Sequence, residues 1–342
     1  MNGGPEPGSF VVASTPLRLS LGGGGTDLPY YADSFGGDVL SIAISLRVTV
    51  AARLGRLDGR FRYSHEQTLH GDKGHDLGDP YVAAALEASG LDEPCEITSF
   101  GPVPAGTGLG SSGAFAVSLL AATEALAGRD PLAAGRAGLA EAAWQLEAVR
   151  LGRPVGRHDP YVCALGGLRR LLIAPDGTTE ASTPPVAPAT LDRLHQHLCL
   201  YYTGVRRDST RHLAAPAQDR EDRIAALHSI KEIGHEMTEA LCAGRVDDVP
   251  ALLRRHWAVK NAGAPPSSWD GAYTTALEHG AQAGKLVGAG GGGFLLLYAD
   301  PVHRDRLDAA MREQVLQPVP FTFSTSGTTL TRVHLDERDP AS

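Results

Sequence analysis

The sequence predicts an α+β protein of two domains sharing a cleft. The chain runs to 342 residues, more than one ordinary domain holds. Its strand-like and helix-like patterns come as a mixed βα half followed by helices with returning strands, an order that suits two α+β layers better than a parallel doubly wound sheet. A turn-rich connector between Pro175 and Pro188 separates the halves and sets the expected domains at 1–188 and 189–342.

Phe10–Ala13, Leu17–Leu21 and the long run Val39–Arg53 carry β-branched residues at two-residue spacing and are expected strands. Gly71–Asp79 is polar and Gly-rich and reads as a loop, Tyr81–Ser89 as a helix and Cys95–Phe100 as a strand. Ala114–Leu126 and Ala137–Leu151 are rich in Ala and Leu at helical spacing, and Leu168–Ala174 returns to strand. Past the connector, His197–Thr203 is an expected strand, followed by helices near Arg223–Ala243, Val249–Val259 and Tyr273–Ala283. Lys285–Val287, Gly293–Tyr298 and Val319–Phe323 read as strands, with a helix at Arg304–Val315 between the last two.

Composition narrows the function. Apolar residues make up 42% of the chain, ample for a large core. There are 31 basic and 39 acidic residues, net −8, with no dense Lys/Arg stripe. Neither nucleic acid nor an anionic membrane is an expected partner. No stretch approaches the ~20 apolar residues that span a bilayer. Met1–Ser9, rich in Gly and Pro, reads as a frayed leader and not as a signal peptide. The cysteines Cys95, Cys163, Cys199 and Cys242 are scattered without C-x-x-C spacing, which suggests reduced, mostly buried thiols in a cytoplasmic protein.

Glycine concentrates at Gly22–Gly25, Gly101–Gly113 and Gly288–Gly293. The middle cluster, Pro104-Ala-Gly-Thr-Gly-Leu-Gly-Ser-Ser-Gly113, follows an expected strand and opens an amphipathic helix. Such a loop offers free backbone N–H groups and the positive end of a helix dipole to an anion, and missing side chains let phosphate oxygens come close. Ser111 and Ser112 could each cap the helix or ligate a phosphate-bound metal. The loop is not a Walker A motif, since no lysine follows the glycines. Its G-x-G-x-G spacing, with no acidic ribose partner evident, is not the dinucleotide fingerprint either.

Pro104-Ala-Gly-Thr-Gly-Leu-Gly-Ser-Ser112 resembles the phosphate loop of the GHMP kinases. Ser14-Thr-Pro-Leu-Arg-Leu-Ser-Leu-Gly-Gly-Gly-Gly-Thr-Asp27 resembles their first motif and Lys285-Leu-Val-Gly-Ala-Gly-Gly-Gly-Gly-Phe294 their third. The three occur in the family's order over nearly the whole chain. Within the superfamily, Gly-Gly-Gly-Thr-Asp-Leu-Pro-x-Tyr, Phe61-Arg-Tyr-Ser64, Tyr202-Thr-Gly-Val-Arg-Arg207 and His256-Trp-Ala-Val-Lys260 are similar to the heptose 7-phosphate kinase branch. The resemblance implies the GHMP kinase fold, with an N-terminal ribosomal-protein-S5-like domain and a C-terminal ferredoxin-like domain. It also implies ATP as co-substrate with Mg²⁺, and a sugar or sugar phosphate as acceptor. A kinase of an unphosphorylated hexose and a sugar/ATP sensor without turnover are the alternatives, and the chain could form a homodimer.

Site residues follow motif by motif. ATP is expected against Pro104, Gly106, Gly108, Leu109, Gly110, Ser111 and Ser112, with Mg²⁺ held by Ser112 and Glu147. Asp159, in Gly156-Arg-His-Asp-Pro-Tyr161, is the expected general base. The family usually reads Gly-Lys-Gln-Asp-Gln there, so His158 and Pro160 depart from it, and Pro160 lacks a backbone donor. Arg18 takes the place of the first-motif cation, which would stabilise the transferred phosphoryl group and depress the Asp159 pKa. By the same resemblance Gly25, Thr26 and Asp27 are expected to bind the acceptor, Asp27 accepting hydrogen bonds from neighbouring sugar hydroxyls. Arg157, Arg207 and Lys260 are candidates for a phosphate already on the acceptor. Gly291 belongs to the third motif, whose first expected role is close backbone approach.

Overall fold

The computed structural model describes residues 10–104, 106–204, 218–261, 269–287 and 292–333. Of the expected features, Arg207, Gly291 and the Met1–Ser9 leader lie outside the described residues.

In chain order the elements are β1 (Phe10–Gly22), α1 (Pro29–Phe35), β2 (Gly37–Leu54), β3 (Phe61–Ser64), β4 (Thr68–Gly71), α2 (Pro80–Ser89), β5 (Cys95–Phe100), α3 (Ser111–Leu126), α4 (Gly135–Gln145), α5 (His158–Leu165), β6 (Leu168–Ile173) and β7 (Thr179–Ser182). There follow α6 (Pro188–His197), β8 (Leu198–Tyr202), α7 (Gln218–Cys242), α8 (Val249–Asn261), α9 (Asp270–Glu278), β9 (Ala281–Leu286), β10 (Phe294–Ala299), α10 (Arg304–Glu313), β11 (Gln317–Pro318) and β12 (Thr329–Val333).

Among the described residues the strands form two sheets. The larger runs β12-β1-β2-β5-β3-β4, with β6 pairing the first half of β2 and β7 pairing β6. The smaller runs β11-β8-β10-β9. Only β3 and β5 pair in parallel among the described strands, so the expected α+β class stands. The expected division after residue 188 is crossed by β12, which returns to the first sheet against β1.

Several local expectations need correction. Phe10–Ala13 and Leu17–Leu21 are one strand; Pro16, which has no amide to donate, is absorbed by a register shift against β2 between Pro16 and Leu17. Part of the expected Gly71–Asp79 loop is a 3₁₀ turn, Gly74–Leu77. The connector contains β7. The expected helix Tyr273–Ala283 stops at Glu278, and β9 begins at Ala281. The expected strand Val319–Phe323 shrinks to β11 and a single bridge from Phe323 to Ile44.

Alternation along β1 positions the site. Leu17, Leu19 and Leu21 share a core cluster with Ile233, Met237 and Leu241 of α7. The intervening Arg18 and Ser20 therefore face the opposite side, toward the glycine loop and α5. Helix α3 is buried almost all round, from Ser111 to Leu126, so the loop leading into it is fixed by the first half's core.

Helix α7 touches the first glycine cluster directly. A Cβ on Gly22 would lie 2.6 Å from the Gly234 Cα, and one on Gly234 would lie 2.8 Å from the Gly23 nitrogen. Neither backbone can retreat, because Leu21 and Ile233 anchor it in the core. Gly234→Ala is expected to destabilise the protein by about 1–3 kcal/mol through overpacking. Urea unfolding monitored by circular dichroism reads this, and an unchanged midpoint would refute the contact.

Candidate active site

The glycine loop meets two neighbours, β1 and the start of α5. Gly108 and Gly110 hold φ of 91° and 77°, a left-handed backbone that side chains disfavour. Gly110 is the N-cap of α3, so the expected helix start at Ala114 moves back to Ser111. A Cβ on Gly110 would sit 3.1 Å from Arg18 Cγ, and one on Gly113 would lie 2.9 Å from Asp159 Cβ. These missing side chains bring Arg18, the loop and Asp159 together.

Arg18 is buried, at 5% exposure. Its Nε donates to Asp159 Oδ1 at 2.8 Å, its Nη2 to the same oxygen at 2.5 Å, and its Nη1 to the Gly108 carbonyl at 2.5 Å. The backbone N–H of Arg18 also donates to the Leu109 carbonyl at 3.0 Å. Burial alone would raise the Asp159 pKa, but Arg18, by charge and hydrogen bond, outweighs it and holds the carboxyl below its ordinary value.

Asp159 lies in the first turn of α5. Pro160 then loses nothing by lacking a donor, because the first four N–H groups of a helix have no intrahelical partner. The His158 N–H donates to Asp27 Oδ2 at 3.1 Å, which joins the first motif to α5. Asp27 Oδ1 accepts from the Gly25 N–H at 3.2 Å. Burial first, and the charge of Asp159 second, raise the Asp27 carboxyl to about 6. The His158 ring is buried and pushed down to about 3, hence neutral, by desolvation and then by Arg18.

Glu147 sits in a π-helical turn, Leu146–Arg150, that extends α4. At 1% exposure it accepts a 2.8 Å hydrogen bond from Tyr81 Oη, and Ser112 lies close enough to favour its ionised form. Desolvation dominates and, with the Asp159 charge adding to it, raises the carboxyl to about 7. Ser112 and Glu147, expected together from the sequence, are near neighbours here. Tyr81 went unnoticed in the sequence, where it looked like an ordinary residue of α2.

Two expected contacts are engaged elsewhere. The Arg157 guanidinium stacks 3.5 Å from the Trp144 ring centroid and grips Glu141 at 3.0 and 3.1 Å. It holds the entry to α5 against α4 and does not face Asp159. The buried Thr26 hydroxyl donates to the Gly23 carbonyl at 2.8 Å and accepts from the Asp38 N–H at 3.1 Å, so it staples the turn beneath Asp27. Pro104 closes the glycine loop by accepting from Thr107 Oγ1 at 2.9 Å. From the third motif, Gly293 lies so close that a Cβ there would overlap the Thr107 carbonyl oxygen, the close approach expected of that motif. Lys260 Nζ lies 3.5 Å from the Leu286 carbonyl.

The raised Glu147 pKa carries a definite sign. Folding favours the protonated form, so the free protein loses stability as pH rises from the ordinary 4.5 through about 7. Glu147→Gln removes that loss. In nucleotide-free, metal-free buffer the variant is expected to be more stable than the wild type at pH 8, by about 1–3 kcal/mol, and nearly equal to it at pH 4.5. Thermal melting at the two pH values reads the difference; a variant less stable at pH 8 would contradict it.

Comparison with known proteins points to one family. The GHMP kinases N-terminal domain model matches residues 80–167 and the GHMP kinases C-terminal model residues 237–316. D-glycero-alpha-D-manno-heptose 7-phosphate kinase of Campylobacter jejuni is 27% identical over 335 residues, covering 93% of this chain and 97% of that protein. The L-fucokinase/L-fucose-1-P guanylyltransferase of Bacteroides fragilis is 26% identical over 94% of this chain, which matches 38% of that longer protein. Among solved structures, a D-glycero-D-manno-heptose 1-phosphate kinase from Bacteroides thetaiotaomicron superposes with a TM-score of 0.76 at 21% identity, covering 95% of this chain and 99% of that one. Lactococcus lactis galactokinase complexed with galactose gives 0.68 at 18% identity, covering 94% and 95%. With both domain models matched in order and the fold shared along nearly its whole length, the chain belongs to the GHMP kinases, a family of ATP-dependent phosphotransferases.

Proposed function

We propose that this kinase transfers the γ-phosphate of ATP to the anomeric hydroxyl of D-glycero-D-manno-heptose 7-phosphate, giving the 1,7-bisphosphate and ADP. The Campylobacter jejuni relative, matched along almost its full length, supports the acceptor. The observation that carries the chemistry is the Arg18 guanidinium, which bridges the Gly108 carbonyl of the loop and Asp159. Backbone N–H groups from Gly106 to Ser112 at the head of α3 suit the triphosphate. Arg18 stands where loop and carboxylate meet, suited to balance charge on the phosphoryl group in flight.

Asp159 accepts the proton of the attacking hydroxyl. A carboxylate held below its ordinary pKa is a weak base, but phosphoryl transfer through a loose transition state asks for orientation more than proton abstraction. Asp159 stays ionised and ready to accept. Asp27, joined to α5 through the His158 N–H, orients neighbouring sugar hydroxyls.

Ser112 and Glu147 would hold Mg²⁺. Two oxygen donors side by side, one a buried carboxylate without a basic partner at salt-bridge distance among the described residues, suit a hard cation. No group of three or more His, Cys, Asp and Glu that could hold a metal occurs among the described residues. The protein thus supplies few ligands, as Mg²⁺ prefers when phosphates and waters complete its shell. A cation there neutralises triphosphate charge.

ADP release screened across sugars and sugar phosphates tests the proposal. The wild type is expected to prefer the heptose 7-phosphate, and Asp159→Asn to lower kcat by roughly 10²–10⁴-fold with little change in the KM for ATP. Near-wild-type turnover in that variant would overturn the role of Asp159. Preference for free L-fucose or galactose would overturn the acceptor and leave the kinase reading intact.

A further inference from the structure

Buried polar groups with unanswered hydrogen-bonding capacity gather where the second half of the chain meets the first motif. Lys285, on β9, is 2% exposed. Among the described residues its ammonium meets one acceptor, the Leu21 carbonyl at 3.0 Å, and no carboxylate. His256, on α8, is 4% exposed and its Nδ1 has no partner. Lys260 follows His256 one helical turn later on the same face. Lys285 is close enough for its charge to depress both the His256 and the His158 imidazoles, and Lys260 and Arg18 act on Lys285 in turn.

An ammonium ion buried without a counter-charge is costly. Burial, with Lys260 and Arg18 nearby, holds Lys285 well below the usual lysine range. A cap for the Leu21 carbonyl needs only a hydroxyl or amide donor, so local structure does not account for a lysine there. An anion would account for it. The ammonium rides on a flexible four-carbon stem and can turn from the carbonyl to an anion entering beside it.

We propose that Lys285, with His256 and Lys260, forms the subsite for a phosphate monoester carried by the acceptor sugar. The assignment rests on the phosphorylated-acceptor reading above and adds the residues that recognise the phosphate. Lys285 supplies the charge, while His256 Nδ1 is free to hydrogen-bond a phosphate oxygen or its hydroxyl. Two further orphaned atoms, Ser20 Oγ and His158 Nε2, belong to residues on the Arg18 and Asp159 side and remain for the sugar hydroxyls.

Steady-state kinetics of the full chain, with ATP and D-glycero-D-manno-heptose 7-phosphate or the unphosphorylated heptose, tests the subsite. Lys285→Met is expected to raise the KM for the 7-phosphate about 30- to 100-fold, the loss of a charge-assisted contact. Its kcat and its KM for ATP should stay within about threefold of wild type, and Lys285→Arg should recover part of the loss. The nucleotide-free Lys285→Met protein should melt at or above the wild-type temperature, because an uncompensated buried charge has gone. A wild type that prefers the 7-phosphate while Lys285→Met keeps that preference, or loses both acceptors by the same factor, would overturn the subsite alone. A lowered melting temperature with unchanged KM would make Lys285 a structural cap and also overturn it. A wild type that treats both acceptors alike would overturn the phosphorylated-acceptor reading and the subsite with it.

Discussion

A buried guanidinium needs a negative partner, and Arg18 finds one only because two glycines are missing their side chains. With Cβ atoms at Gly110 and Gly113, α5 could not bring Asp159 to Arg18 without displacing backbone. The pair then ties three pieces of chain that are distant in sequence: β1, the loop into α3, and the first turn of α5. Removing Asp159 would strand the buried Arg18 charge without a counter-ion, which destabilises the fold. The constraint therefore fixes the loop and the carboxylate relative to each other before any ligand arrives, which is the positioning that phosphoryl transfer requires.

Asp159 also shapes its surroundings. Its charge pushes up both Asp27 and Glu147, already raised by burial. The site's charges are therefore in competition, with two carboxyls held toward their neutral forms and one held ionised. Each raised carboxyl awaits a different relief. Glu147, beside Ser112 and Tyr81, is eased by a cation. Asp27, half-buried and already accepting two backbone N–H groups, is eased by hydroxyl donors. On the proposed assignment, electrostatics thus separates a metal-facing acid from a polyol-facing acid, although both are carboxylates of similar ordinary pKa.

Much of this was legible in the sequence where a single physical demand fixes the residue type. A loop that must admit phosphate oxygens requires glycine, and the Gly106–Ser112 stretch showed it. Arg18, Asp27, Glu147 and Asp159 stood out through motif register, and the structure gathers them around that loop. Arg157 illustrates the limit: a cation two residues from Asp159 suggested a phosphate contact, but Trp144 and Glu141, one face of α4, capture it. Nothing local to Arg157 reveals that face. Thr26 likewise looked like a substrate hydroxyl partner until the turn used up its bonding capacity. Lys285 was hidden differently, since a lysine at the edge of a glycine motif gives no sign that its ammonium will be buried without a counter-charge. The short strands β3, β4 and β12 and the helix α1 lack the length that makes periodicity readable.

The contacts of α7 and of the third motif divide the labour between the two halves. The glycine loop grows out of α3, which is embedded in the first half's core, so nucleotide geometry belongs to that half. The turn carrying Asp27 rests instead on α7, through Gly234 against Gly22 and Gly23 and through Leu227 beside Gly25. Lys285, His256 and Lys260 come from β9 and α8, again in the second half. On the proposed assignment, acceptor recognition is therefore built largely by elements of the second half, which meet the phosphate loop where Gly293 approaches Thr107 and where Leu109 joins their core cluster. Changes on α7, α8 or β9 can alter which acceptor is held while leaving the Arg18–Asp159 pair undisturbed, and this separation lets one phosphoryl-transfer apparatus serve acceptors of different size and charge.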